Sequence, residues 1–573
     1  MNKPIIEFKD FSFKYVSQAE PTLKKINLAI QPGEKILLAG PSGSGKSTIG
    51  RCLNGLIPEI DEGEIQGTCT INGKDITRSS IFDLSFTTST ILQDSDSQFI
   101  GLTVGEDIAF SLENDCQSQD KMKKTVQKWA KKLNITDLLQ QSPQALSGGQ
   151  KQAVALAGVL VDESPILLFD EPLANLDPAA GEKTMAVIDQ VQKELNATVI
   201  IIEHRLEEVL TQPIDRIILV DDGQIIADTT PNKLLHEDKL EKAGVRTPLY
   251  IKAMEKAGVD LNKIPEIDNI STLPQEQAIS TKLQNWANSN SKKAIQNFST
   301  PLLALTNVGH RYSKNQPHPL HDISVIINQG DFVSIVGQNG AGKTTLCRTI
   351  CGFINYDGQI SFKSQNLANL SIKERAEKIG YVMQDPNQMI SQKMIFDEVA
   401  LGLRLRHIDE TEIEKRVIDT LKICGLYPFR HWPISALSFG QKKRVTIAAI
   451  LVLKPDLIIL DEPTAGQDWK TYTEIMNFLS ELNHQGKTIM IITHDMHLMM
   501  EYTNRSLAFA KGELIADTTP INLLTNNELV EKASLKRTSL FDLAKYYKLP
   551  NPNQFVQAYI NHERQHIQEV QNA

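Results

Sequence analysis

The apolar residues of this chain gather in short solid blocks. "KILLAG" ends at Gly40 and "FVSIVG" at Gly337; "PILLF" follows Ser164, "ATVIII" follows Asn196, "DLIIL" follows Pro455 and "IMIIT" ends at Thr493. None approaches the roughly 18–20 apolar residues needed to cross a bilayer. Unbroken runs this short predict strands buried on both faces, as in a parallel sheet, rather than half-exposed strands that alternate. "KILLAG" and "FVSIVG" each lead through a glycine-rich loop into a helix-like run, and two other blocks end in paired carboxylates, so the pattern predicts an α/β fold.

The pattern occurs twice. "GPSGSGKST" at Gly40 returns as "GQNGAGKTT" at Gly337, and Gln93, Leu146 and Asp170 each have a counterpart 291 positions on, at Gln384, Leu437 and Asp461. His204 of "IIEHR" answers His494 of "IITHD", and "DGQIIADTTP" recurs as "KGELIADTTP". A near-constant offset held through two hundred residues marks a tandem duplication. The expected division is a first domain over 1–245, a linker over 246–300, a second domain over 301–535 and a tail over 536–573 without an assigned role beyond that of a helical cap. From about Lys256 to Thr300 the chain is rich in Ser, Asn, Gln and Lys and reads as a flexible connector, with a short helix at "EQAISTKLQNWANS" whose Trp286 packs on one domain.

Composition narrows the picture. At 573 residues two or more domains are expected, and 41% hydrophobic with 23% charged residues suits a globular chain. A formal charge of −9 argues against a general nucleic-acid binder, so no nucleic-acid partner is expected. The opening "MNKPIIEFKD" lacks a secretory apolar core, which predicts a protein kept in the cytoplasm, where it can still sit on a membrane protein. The six cysteines include no CxxC; even Cys347 and Cys351, four apart, read as buried small residues rather than metal ligands.

The chemistry lies in the loops after the apolar blocks. Gly40, Pro41, Ser42, Gly43, Ser44, Gly45, Lys46, Ser47 and Thr48 form a phosphate-binding phrase, and Gly337, Gln338, Asn339, Gly340, Ala341, Gly342, Lys343, Thr344 and Thr345 repeat it. The glycines let backbone N–H groups wrap a phosphate at the positive end of the following helix. Lys46 and Lys343 are expected to reach the β- and γ-phosphates, and Ser47 and Thr344 to offer a hydroxyl to Mg²⁺. Asp170 and Asp461, at strand ends, are expected to hold that ion, with Glu171 and Glu462, one residue on, polarising the attacking water.

"LSGGQKQ" (Leu146–Gln152), 24 residues before Asp170, and "LSFGQKK" (Leu437–Lys443) complete a resemblance to ABC-type ATPases, twice over. That resemblance implies two tandem ATP-binding domains, each a mixed sheet core with an α-helical signature subdomain, arranged head to tail. Gln93 and Gln384 match the family's Q-loop glutamine, which also touches Mg²⁺. Asp177 and Asp468 match its D-loop, His204 and His494 its catalytic switch histidine, and Tyr15 and Tyr312 the aromatic that stacks on adenine. Ser147, Gly148, Gly149 and Gln150, with Ser438, Gly440 and Gln441, match the signature that meets the γ-phosphate of the opposite domain. Lys46 would then pair with Ser438 and Lys343 with Ser147, so the two domains of one chain complete both sites. Phe439 replaces the usual glycine. Either it alters packing against the opposite domain or it slows the site containing Lys46; both copies keep the glutamate and histidine, so two competent sites are expected.

The segment "QDSDSQFIGLTVGEDIAFSLEN" after Gln93 resembles the ATPases of energy-coupling-factor (ECF) importers, and "QDPNQMISQKMIFDEVALGL" after Gln384 is a looser version. This implies an ATP hydrolase that drives uptake of a vitamin or metal ion through integral membrane coupling and substrate-binding subunits, peripheral on the cytoplasmic membrane face. Glu106, Asp107, Asp397 and Glu398 stand either as attractors of basic partner side chains or as solvated helix starts. A soluble duplicated ABC ATPase acting on ribosomes and a fused sugar-importer ATPase remain alternatives.

Overall fold

The structure, a computed structural model, describes residues 3–92, 98–146, 148–174, 176–290, 300–311, 319–465 and 467–572, with side chains as far as Gln565. The chain divides into two units, one ending at Gln275 and the other beginning at Glu276.

In the first unit β1 (Ile6–Tyr15) pairs antiparallel with β2 (Leu23–Ile30). Then come β3 (Lys35–Ala39), α1 (Lys46–Leu53), β4 (Gly63–Ile71), β5 (Lys74–Asp75) and β6 (Thr88–Ile91). After them follow α2 (Val104–Asn114), α3 (Gln119–Lys132), α4 (Gly148–Leu160), β7 (Ile166–Asp170), α5 (Pro178–Leu195), β8 (Thr198–Ile202), β9 (Arg216–Asp221) and β10 (Gln224–Thr229). One sheet runs β2-β1-β4-β5 and is antiparallel; the six-stranded sheet runs β10-β9-β3-β8-β7-β6, parallel except at β10. All five residues of β3 and of β8 are buried, as their unbroken apolar sequence requires. Phe8, Phe13, Ile49, Leu168 and Ile200 belong to the core that joins the two sheets around α1. Helices α2, α3 and α4 pack on one another, and α4 also packs against β6.

The second unit opens with α6 (Gln277–Ser289), followed by β11 (Pro301–His310), β12 (Leu320–Asn328), β13 (Phe332–Gly337), α7 (Lys343–Cys351), β14 (Asp357–Phe362), β15 (Gln365–Asn366) and β16 (Ile379–Val382). Its middle comprises α8 (Ile395–Arg404), α9 (Glu410–Ile423), α10 (Phe439–Leu451), β17 (Leu457–Asp461) and α11 (Trp469–His484). It closes with β18 (Thr488–Ile492), α12 (Met496–Tyr502), β19 (Arg505–Ala510), β20 (Glu513–Thr518) and α13 (Pro552–Asn572). Its sheet order, β16-β17-β18-β13-β19-β20, repeats that of the first unit, so the duplication is one of fold as well as of motifs.

The stretch expected as a linker contributes to both units. The Ile267 N–H donates to Asn232 Oδ1 at 2.8 Å, the Leu249 N–H to Glu207 Oε2 at 2.9 Å, and His236 Nε2 lies 2.9 Å from Ile264 O, fastening 246–275 to the body of the first unit. Helix α6 packs along α13: the Trp286 ring stands 5.8 Å from those of Phe555 and His562. From α13, Arg564 donates to Met500 O at 3.0 Å and Glu501 O at 3.1 Å and also reaches Thr503 O, capping the end of α12.

Candidate active site

Each phosphate loop is set by backbone that only glycine can supply. A Cβ on Gly40 would fall 2.0 Å from Val220 O, and one on Gly337 2.1 Å from Phe509 O, because the neighbouring strand runs directly beneath the loop. Gly45 and Gly342 start α1 and α7 in the left-handed region, at φ 104° and 97°. Lys46 Nζ donates to Gly40 O and Pro41 O at 2.9 and 2.7 Å; Lys343 Nζ donates to Gly337 O and Gln338 O at 2.7 and 3.0 Å. Both ammonium groups are thus folded back across their own loops, and they are the charges a bound phosphate would meet. Ser47 and Thr344 occupy the second position of the same helices, and the Tyr15 hydroxyl lies 3.3 Å from Thr48 Oγ1.

The carboxylates come from the carboxyl edge of the parallel sheet, where such folds bind ligands. Asp170 and Asp461 end β7 and β17, in register with Ile202 and Ile492, two residues before the histidines. Glu171 and Glu462 then turn sharply: each has a left-handed backbone, φ 50° and 47°, while its N–H donates to Ile202 O or Ile492 O. Residues other than glycine hold this conformation only where neighbours enforce it, and here it swings the glutamate away from its aspartate. His204 Nε2 lies 3.2 Å from Glu171 Oε1, and His494 Nε2 lies 3.3 Å from Glu462 Oε1. In each unit the phosphate-loop lysine, strand-end aspartate, glutamate and histidine converge on one edge.

The remaining predicted residues divide. Asp177 and Asp468 cap α5 and α11, accepting from Ala180 N at 2.9 Å and Thr471 N at 2.7 Å. Gly148, Gly149 and Gln150 open α4. Ser438 and Gln441 form a reciprocal capping box at the start of α10, which leaves Phe439 at the first helical position, 44% exposed. A Cβ on Gly440 would lie 2.6 Å from Gln467 Oε1 and 2.7 Å from Thr471 Cγ2, so those side chains would have to shift to admit one. Gln384 follows β16. Gln93, Ser147 and Tyr312 lie outside the described residues. The acidic helix starts are committed locally. Glu106 sits in a capping box with Thr103, Asp107 accepts from Ile100 N and Gly101 N, Glu398 from Ser391 N and Gln392 N, and Asp397 pairs with Arg404. All six cysteines are free thiols.

A family model described as ABC transporter matches residues 23–174 and 320–465, the two stretches that hold the phosphate loops, the signatures and the strand-end carboxylates. A protein of Lactobacillus johnsonii that carries the name ABC transporter ATP-binding protein is 75% identical over 99% of both chains, and one of Enterococcus faecalis with the same name is 58% identical over 99% of both. The chain belongs to the ABC transporter ATP-binding proteins. It is accordingly an ATPase coupled to transport, and it works with membrane subunits. A second model, described as ATP-binding cassette cobalt transporter, matches residues 237–310 of this ABC ATPase. The solved structure of CbiO1 from Clostridium perfringens, described as part of the ABC transporter complex CbiONQ, is 34% identical; the match covers 41% of this chain and 94% of that one, with a TM-score of 0.38. Among the described residues no helix of this ABC ATPase is long and apolar enough to cross a membrane.

The sequence reading of this ABC ATPase missed three residues that make its two sites unequal. Asp461 accepts from Thr344 Oγ1 and from the buried Tyr381 hydroxyl, both at 3.0 Å. Burial, then the Asp461 charge, raises that phenol well above its usual range, so it stays a donor. In the first unit Asp170 instead faces other carboxylates. Burial pushes it up to about 6, Glu171 and Glu203 add to the rise, and Lys46 and His204 oppose it. Glu203 is itself buried, which raises its carboxyl, and it accepts from Leu173 N, His204 N and Arg205 N. Thr493 stands in its place in the second unit. The third residue is Lys443, fully buried beside Glu462 where the first unit has Gln152. Aligning the repeats would have exposed all three as departures between otherwise matching phrases.

Proposed function

We propose that this ABC ATPase energises uptake of a vitamin or metal ion in an ECF-type importer, at the cytoplasmic face of the membrane, against separate coupling and substrate-binding subunits. The observation that carries this reading is the match of residues 237–310 to a model described for cobalt transport, which favours a metal ion of the cobalt kind. Exposed Phe82, Phe86, Ile100 and Leu102 in the first unit support an apolar docking partner, since such residues are ordinarily withdrawn from water. Within this reading Lys46 and Lys343 hold the β- and γ-phosphates of ATP. Glu171 and Glu462 orient the attacking water and accept its proton, and His204 and His494 keep their glutamates aligned. The oxygen donors suit Mg²⁺: Ser47, Gln93 and Asp170 at one site and Thr344, Gln384 and Asp461 at the other, with Thr344 Oγ1 and Asp461 Oδ2 already 3.0 Å apart. When bound, Mg²⁺ neutralises charge that develops on the phosphates. Each ATP is clamped between the phosphate loop of one unit and the signature of the other, Lys46 with Ser438 and Lys343 with Ser147, because a helix start offers N–H groups to the γ-phosphate.

Purification from the native membrane, with identification of copurifying chains and measurement of ⁵⁷Co²⁺ and vitamin uptake in cells lacking this chain, tests the reading. Hydrophobic membrane subunits and lost uptake of one of these solutes are expected. Ribosomal RNA in the complex, or uptake unchanged for all of them, refutes it.

A further inference from the structure

A lysine with no exposed surface is rare unless its charge is met. Lys443, one turn into α10 at the end of the signature phrase, is such a residue, at 0% exposure. Its Nζ donates to Gln384 O and, at 3.2 Å, to Glu462 O. One ammonium therefore joins three segments that are far apart in sequence: the signature helix, the Q-loop after β16 and the turn carrying the glutamate. Burial brings its pKa down to about 8, while Glu462, Asp461 and Asp385 hold it up. In the first unit the corresponding Gln152 is a neutral amide whose Nε2 donates to Pro172 O at 3.3 Å.

We infer that Lys443 is a positioning residue of the second ATP site, a tie that makes the Gln384 loop and the Glu462 turn move with the signature helix, and that the two sites of this chain are unequal for that reason. The charge is what the tie adds. A half-buried glutamine stands at this position in the first unit, so the fold by itself does not call for a lysine. An ammonium bonded to carbonyls on two segments resists their separation more strongly than a neutral donor does, because pulling either away leaves a buried charge under-solvated. The tie also crosses the path between a signature helix, which meets its nucleotide from one side, and the glutamate that acts on the nucleotide held by Lys343. The inference rests on the assignment of Glu462 as the base.

The test compares full-length Lys443→Met, which keeps the stem and removes every donor, with Lys443→Gln, the residue of the first unit. Steady-state ATP hydrolysis is read together with hydrogen exchange over 384–389 and 462–465. In a Glu171→Gln background, which silences the first site, Lys443→Met is expected to lower kcat about tenfold, as a displaced catalytic group does, with KM for ATP within about twofold because the Lys343 loop is untouched. Exchange over both segments should rise, and Lys443→Gln should restore part of the loss. If Lys443→Met shifts only the melting temperature, leaving kcat and local exchange unchanged, the inference is overturned. Should Lys443→Met fail to fold, Lys443→Gln decides on the same criteria. Glu462→Gln alone separates the two ideas: unaltered turnover there removes the base assignment, whatever Lys443 does.

Discussion

Replacing Asp170 by asparagine is expected to stabilise the nucleotide-free first unit while stopping its chemistry. Burial, reinforced by Glu171 and Glu203, lifts the Asp170 carboxyl from an ordinary 3.8 to about 6. A displacement of that size corresponds to ~3 kcal/mol, at 1.36 kcal/mol for each pH unit. The sign follows from the raised value. The folded state favours the protonated acid, so that stability is whole below the unfolded pKa and is lost as pH rises through about 6. Asparagine cannot ionise and escapes the loss, although its new N–H donors need partners. The net gain for Asp170→Asn is therefore expected at about 2–3 kcal/mol at pH 8, fading to nothing below pH ~4. Trp129, fully buried on α3, is the sole tryptophan of the first unit, the others being Trp286, Trp432 and Trp469. Its fluorescence in a chain with those three changed to phenylalanine follows urea unfolding of the first unit alone, in chelator and without nucleotide. The twin change, Asp461→Asn, should have the opposite sign, because it weakens charge-assisted bonds from Thr344 and Tyr381. An Asp170→Asn chain that is less stable at pH 8, or whose gain ignores pH, would falsify the electrostatic account.

Three further outcomes are expected. Glu171→Gln and Glu462→Gln should each cut ATP turnover by at least tenfold at their own site, and together abolish it; a double variant that still hydrolyses ATP would mean another base. Arg564→Met should cost the second unit about 2–3 kcal/mol, since α12 loses a guanidinium bonded to three of its terminal carbonyls, and exchange over 496–502 should rise; unchanged exchange refutes the cap. Gly149→Cys paired with Asn339→Cys, in a background where exposed Cys116 is serine, should crosslink faster with a non-hydrolysable ATP analogue; a Cβ at Gly149 meets nothing within 4 Å. Crosslinking indifferent to nucleotide would count against the paired sites.

Much of the site could be read from the chain because its parts are local. A phosphate loop is a run of consecutive residues, and the glycine at its start is forced by the strand below it, as Gly40 over Val220 O shows. Asp170 and Asp461 had to end strands because the blocks before them are apolar throughout. Surroundings were harder to read. Glu106 and Asp107 looked available to a partner, yet they cap their own helix and loop, an option that rests on geometry rather than composition. Lys443, in the basic phrase "QKKR", reads as a solvated lysine. Tyr381, within an apolar strand, gives no sign that its hydroxyl bonds to Asp461.

By itself, then, the sequence determined the doubled α/β plan, the phosphate loops, the carboxylate pairs and the histidines, because each depends on neighbours a few positions away along the chain. Tertiary structure alone decided which charges face which: Glu203 against Asp170 in one unit, Tyr381 and Lys443 around Asp461 and Glu462 in the other. Those encounters join residues tens of positions apart, and their strength is set by how far folding withdraws them from water.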